Sequence, residues 1–260
     1  MREFFGFGGY TRVPEGFMSW QHLTFVTSLM AIMITLAICV GLKYRSKSDS
    51  KKNLPLIIAA IMIDGFELFK IVLMCIRGAN PWGWLYELPL FLCSIQLITI
   101  PLAAFSKGRV KEAALDFVFI FGILGAVLGT YGAGQNYGCY PVLSFDNVVS
   151  GITHSISGFA SLYIAISGMA SMKKKNIPIT FAILFSFCIA AFGANAILDY
   201  NYMFLRRGDG TPYDIFFNLV NGNQILYPMV VVLLFVVYII VFHCIFNYFK
   251  NKSNKKACVE

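Results

Sequence analysis

Residues 224–249 read QILYPMVVVLLFVVYIIVFHCIFNYF, with no Asp, Glu, Lys or Arg among them. About 20 apolar residues in helical rise cross a hydrocarbon core, so this run is long enough to span a bilayer. Working back along the chain, comparable runs occupy 20–42, 54–77, 86–105, 113–131, 148–172 and 178–199. Pro178 opens the last of these, where its missing N–H costs little. Across 260 residues the chain is 58% hydrophobic and only 13% charged, too little charge to clothe a soluble surface. The expected fold is an all-α polytopic membrane protein, a bundle of seven transmembrane helices. It divides into an extracellular N-terminal segment (1–19), the transmembrane domain (20–249) and a basic cytoplasmic tail (250–260).

The net charge of +8 does not point to nucleic acid, because the basic residues sit in short clusters between apolar runs. Lys43, Arg45, Lys47, Lys51 and Lys52 follow the first run, and Lys107, Arg109 and Lys111 follow the third. Lys173, Lys174 and Lys175 follow the fifth, and Lys250, Lys252, Lys255 and Lys256 the seventh. These are alternate loops, so the excess of positive charge puts the N-terminus outside and the C-terminus in the cytoplasm. Trp20, Trp82 and Trp84 then all fall at outer span ends, as an aromatic belt would. The first 18 residues lack a cleavable signal pattern, so the first span is expected to be retained. Seven cysteines, an odd number without a CxxC, support neither a disulfide framework nor a structural zinc site. No metal or cofactor is expected.

With orientation assigned, depth follows from a helical rise of 1.5 Å per residue. Cys93, in the stretch LPLFLCSIQ at 88–96, lies about 10 Å below the outer surface, and His154 about 9 Å below it. Asn195 falls at a similar level on the sixth span, and Lys70 on the second. Polar groups from four spans thus converge at one depth. Each has a plainer reading. A buried Cys is more often inert than reactive, and Glu67–Lys70, three residues apart on a helix that also carries Asp64, can be a structural ion pair. Asn195 and Asp199 share a helix face and could orient an imidazole or close the helix end. Gly122, Gly125, Gly129 and Gly132, with Gly151, Ser155 and Gly158, read as close helix packing.

The sharper reading needs a base, since the thiolate is the nucleophile and a thiol in apolar surroundings stays protonated. His154 could take that proton, and lipid esters lie at this depth. Cys93 would then attack an ester, His154 would protonate the departing lysolipid, and a second acceptor would take the acyl group from the thioester. Gln96, Ser94 or Lys70 could stabilise the oxyanion.

LPLFLCSI, HSISGF, and NYMFL with the preceding NAILD resemble the YwaF-like family of bacterial integral membrane proteins, grouped with the transmembrane protein 164 acyltransferases. The resemblance runs from about residue 20 to 245. It implies a seven-helix fold in the bacterial plasma membrane and acyl transfer between membrane phospholipids, which serve as donor and acceptor. Cys93 and His154 occupy the positions of that family's proposed catalytic pair, and Asn201 of NYMFL joins the supporting residues. Phe91 stands where many bacterial members carry a His. A more remote similarity links the chain to the androgen-induced-gene lipid hydrolases, which use a Thr and a His.

A lipid hydrolase of the same architecture is one alternative. Another is a proton- or ion-coupled transporter using Asp64, Glu67, Lys70 and His154, although no internal repeat is visible. A scaffold whose polar groups only lock the bundle is a third. The orientation is open to direct test. In intact cells a membrane-impermeant thiol reagent should label Cys139, in TYGAGQNYGCYP, and spare Cys258; labelling of Cys258 alone would overturn it.

Overall fold

The computed structural model describes residues 2–257, so Cys258 lies outside the described residues. Among these, regular structure is helical throughout: α1 (Trp20–Tyr44), α2 (Asp49–Arg77), α3 (Gln96–Phe105), α4 (Gly108–Tyr131), α5 (Gly134–Cys139), α6 (Phe145–Ile166), α7 (Ile177–Leu198), α8 (Tyr213–Leu219) and α9 (Leu226–Ala257). Five of them, α1, α4, α6, α7 and α9, are long and apolar enough to cross a membrane. Large apolar side chains such as Ile58, Ile61, Ile189, Ile197 and Leu233 stand exposed on α2, α7 and α9, which suits contact with lipid rather than water. The protein is a multi-pass membrane protein. It divides into two compact units, one ending at Ser171 and the other beginning at Met172.

The helices begin where the sequence provides caps. Ser19 accepts a hydrogen bond from the His22 N–H at 3.2 Å and Ser144 one from Asn147 at 3.3 Å, satisfying donors that a helix start leaves free. Pro178 sits in the first turn of α7.

One expected helix is broken. Instead of a continuous span over 86–105, a short 3-10 turn (Gly83–Tyr86) is followed by irregular chain, and α3 begins only at Gln96. Pro89 explains this, because its ring excludes a preceding helical turn and forces Leu88 toward extended backbone. Irregular backbone at membrane depth persists only where protein or a cavity covers it. Here Leu90 and Ile95 are buried, and the residues between are half-buried.

Within the first unit, α6 packs most extensively on α4, then on α1. In lipid the surrounding tails are as apolar as the core, so close packing rather than hydrophobic burial must hold the helices together. The sequence supplies small residues for this. Gly122 lies against the Ser157 carbonyl and Ser161 Cβ, and Gly158 against Ala126 and Met33. Ser157 Oγ donates to the Gly122 carbonyl at 3.2 Å, and Ser161 Oγ to Phe119 at 2.8 Å. Toward the other end, Ala59 and Ala60 of α2, Ala103 and Ala104 of α3, Ala114 of α4 and Ala160 of α6 surround Tyr163. The Tyr163 hydroxyl reaches the Lys52 carbonyl at 2.7 Å.

The N-terminal segment folds back over the ends of α2 and α6. Arg77 makes two 2.7 Å hydrogen bonds to Asp146, and the Tyr10 hydroxyl donates to the same carboxylate at 2.5 Å. Arg77 also donates to the Phe5 carbonyl at 3.0 Å. Burial and the Asp146 carboxylate push the Tyr10 phenol up to about 12, so it stays a donor at neutral pH. Gly6 is where the turn needs glycine: φ is +70°, and a Cβ would meet the Arg77 guanidinium. Buried His22 ties α1 to α4, accepting the Met18 N–H at Nδ1 (3.1 Å) and donating from Nε2 to the Thr130 carbonyl (3.1 Å). That pattern describes a neutral, structural histidine.

In the second unit, Asn195 of α7 holds the backbone of Tyr202 from both sides, accepting its N–H at 2.6 Å and donating to its carbonyl at 3.0 Å. Asp199 closes α7 in the left-handed conformation, φ 49°.

Candidate active site

Four elements of the first unit meet at the site: the turn before α3, the C-terminal halves of α2 and α4, and the N-terminal half of α6. The turn carries Cys93, two residues ahead of the Ile95 cap of α3, with its carbonyl 3.4 Å from the Gln96 N–H. Helix starts favour nearby negative charge, so this is a setting in which a thiolate is tolerated. Cys93 is half-buried and thus reachable, and the Ser94 hydroxyl lies 4.0 Å from its sulfur.

The partner is His154. Its ring and the Cys93 thiol lie close enough to interact with each other. The other side of the ring is also fixed, for Nδ1 lies 2.7 Å from the Ser150 carbonyl oxygen. A carbonyl only accepts, so Nδ1 must carry the proton and donate it. In the neutral ring Nε2 is then unprotonated and available to the thiol as a base. Ser150 Oγ stands 3.4 Å from the same Nδ1. The orienting role offered to Asn195 or Asp199 is therefore filled at Nδ1 by the backbone one turn earlier on α6.

The face of α4 below this pair is bare. A Cβ at Gly125 would lie 3.3 Å from Cys93 Cα and 3.4 Å from its Cβ, and one at Gly129 would overlap Cδ2 and Nε2 of His154. These two glycines, four residues apart on one helix face, let Cys93 and His154 lie against α4. The depth reckoning assumed a helix through 86–93; contact with α4 is what sets the position of Cys93.

Lys70 lies close enough to His154 to interact with it electrostatically. Its ammonium is 2.6 Å from Glu67 and 2.9 Å from Glu87. Glu87 did not emerge from the sequence reading, although it is the single charged residue between Arg77 and Lys107. Gln96 is fully buried. Its Oε1 accepts from the Thr99 hydroxyl at 2.9 Å, while Nε2 has no hydrogen-bond partner among the described residues. Asp64 is exposed on α2, one turn from Glu67.

Asn195, Asp199 and Asn201 lie in the second unit and are engaged within it. Asp199 pairs with Arg206 at 2.5 Å on a side chain that is 90% exposed, a contact of small energetic value. Asn201 organises the following loop, accepting the Arg206 N–H at 2.9 Å and donating to the Arg207 carbonyl and to Asp209, each at 2.8 Å.

The model of the TMEM164 family matches residues 17–246 of the chain. No curated protein and no solved structure matches it.

Lys70→Met should lower the thermal midpoint of the purified protein, because it leaves Glu67 and Glu87 facing one another without a cation. The expected cost is about 3 kcal/mol, the lower end for a buried pair, since water screens part of Glu87. Replacing Lys70, Glu67 and Glu87 together by Met, Gln and Gln should restore the midpoint.

Proposed function

The chain belongs to the TMEM164 family, and we propose that it is a membrane-embedded phospholipid acyltransferase working through Cys93 and His154. The observation that carries this reading is the closeness of the Cys93 thiol to the His154 imidazole, whose Nδ1 is occupied by the Ser150 carbonyl and whose Nε2 is left for the sulfur. A thiol beside a correctly oriented base is the arrangement that nucleophilic acyl chemistry requires.

The cycle follows from those atoms. Nε2 takes the Cys93 proton, and the thiolate adds to the carbonyl carbon of a phospholipid ester. When the tetrahedral intermediate collapses, the ester C–O bond breaks and the lysolipid oxygen leaves with the proton held on Nε2. The acyl chain is now a thioester on Cys93. A second lipid hydroxyl gives its proton to Nε2 and attacks the thioester, and the Cys93 thiolate departs. The oxyanion in both steps needs a donor. Lys70 is already held by two carboxylates, whereas the Nε2 amide of Gln96 has donor capacity to spare.

The placement proposed is seven spans in a bacterial plasma membrane, with the N-terminus outside and the site in the outer leaflet. The segment 86–105 would then cross as an irregular stretch joined to a short helix rather than as one helix. α2 would cross despite its charges, because Lys70 neutralises its neighbours in part. A hydrolase would use the same pair with water as acceptor.

The variants separate these readings. Cys93→Ala should abolish acyl exchange between phospholipids in reconstituted protein while leaving expression unchanged. Cys93→Ser should be nearly as inactive, an alcohol being far harder to deprotonate. His154→Ala should also abolish it, and the combined variant should be no worse than either alone, as for residues acting as a unit. Wild-type exchange by Cys93→Ala would end the proposal; release of free fatty acid without exchange would favour the hydrolase.

A further inference from the structure

Helix α4 enters the chemistry above only as a packing surface, yet one of its residues bears directly on the base. His154 lies with its Cδ2–Nε2 edge against the Gly129 backbone, so closely that any side chain at 129 would occupy the space of the ring. Nε2 is the atom that must face the thiol. We infer that Gly129 is a positioning residue, whose missing side chain sets where Nε2 stands relative to Cys93 sulfur. This deepens the acyltransferase reading, but its test does not depend on that reading.

Three constraints make the ring's position a matter of one residue. Nδ1 is anchored to the Ser150 carbonyl at 2.7 Å, so the ring cannot retreat along α6 without losing that bond. On the far side is the thiol. Below is α4, held to α6 by Ser157 and Ser161 through hydrogen bonds at 3.2 and 2.8 Å. A methyl group at 129 therefore cannot be met by moving the helices apart cheaply; the imidazole must turn out of its seat. Gly122, two turns back on α4, meets only the Ser157 carbonyl and Ser161, so a methyl there strains packing without touching the ring.

Gly129→Ala, Gly122→Ala, His154→Ala and the double variant Gly129→Ala/His154→Ala can be compared as full-length protein in lipid nanodiscs. The readout is the rate of iodoacetamide alkylation at Cys93, followed by mass spectrometry of its peptide, together with folded yield. At pH 7, Gly129→Ala should alkylate roughly tenfold more slowly than wild type, approaching His154→Ala, since a thiol without its base is mostly unionised there. Raising the pH toward about 10 should narrow the difference, because a larger share of the thiol then ionises without the imidazole. Gly122→Ala should lose yield and keep the wild-type profile. The double variant is decisive for folding, as deleting the imidazole opens the space that the new methyl needs. It should recover the yield lost by Gly129→Ala, with an alkylation rate equal to that of His154→Ala. If Gly129→Ala keeps the wild-type alkylation profile, or if the double variant folds no better than Gly129→Ala, the inference is overturned. Loss of acyl exchange plays no part in this outcome, so a failed acyltransferase reading would leave it standing or falling by itself.

Discussion

A thiol among apolar helices keeps its proton unless a base stands beside it, and in this chain His154 lies close enough to Cys93 to interact with it. Much of the first unit can be understood as holding it. Cys93 reaches the site because Pro89 breaks the third apolar segment, so that irregular chain rather than helix leads into α3. His154 is fixed from within its own helix by the Ser150 carbonyl. Both then rest on α4, where Gly125 and Gly129 allow the approach. The small residues that let α4 and α6 pack closely also place the reacting groups, so packing and chemistry share one surface.

Charge around the site is handled by pairing. Lys70 sits between Glu67 and Glu87, and Arg77 binds Asp146 through two hydrogen bonds while Tyr10 closes over the same carboxylate. Removing one member of such a buried set costs several kcal/mol, far more than the pair contributes beyond an apolar substitute. These clusters tie the C-terminal half of α2 to the loop before α3 and to α6, the elements that carry Cys93 and His154. Their arrangement weakens the transporter alternative. A coupling ion needs groups free to exchange partners, and Lys70 is already doubly bound.

The sequence made the apolar helices legible because hydropathy over a span's length leaves little choice: α1 and α7 match their runs within two residues, while α4, α6 and α9 overlap theirs with one end shifted by five to eight. The pairing of Cys93 with a histidine sixty-one residues later was reachable from residue chemistry and the family motifs. Other features were not. Pro89 falls near the start of the apolar run 86–105, where a proline can sit in a helix's first turn or end the helix; only the surroundings decide which occurs. Glu87 gave no periodic signal, since it lies outside any regular element. The orienting partner of His154 is a main-chain carbonyl, which every residue possesses, so no side-chain pattern could single it out. The glycines of α4 were visible as a packing motif, but their contact with Cys93 and His154 is tertiary. The N-terminal segment reads as polar and aromatic chain, and its fold depends on Arg77 and Asp146, far away in sequence.

The central claim is that Cys93 carries an acyl group. It is tested most directly by incubating the reconstituted wild-type protein with a phospholipid of defined acyl chains and examining the Cys93 peptide by mass spectrometry. The account predicts a mass increase of one acyl chain on Cys93, removable by hydroxylamine as a thioester is, and much reduced in His154→Ala. Acyl exchange proceeding while Cys93 remains unmodified at every time point would contradict it.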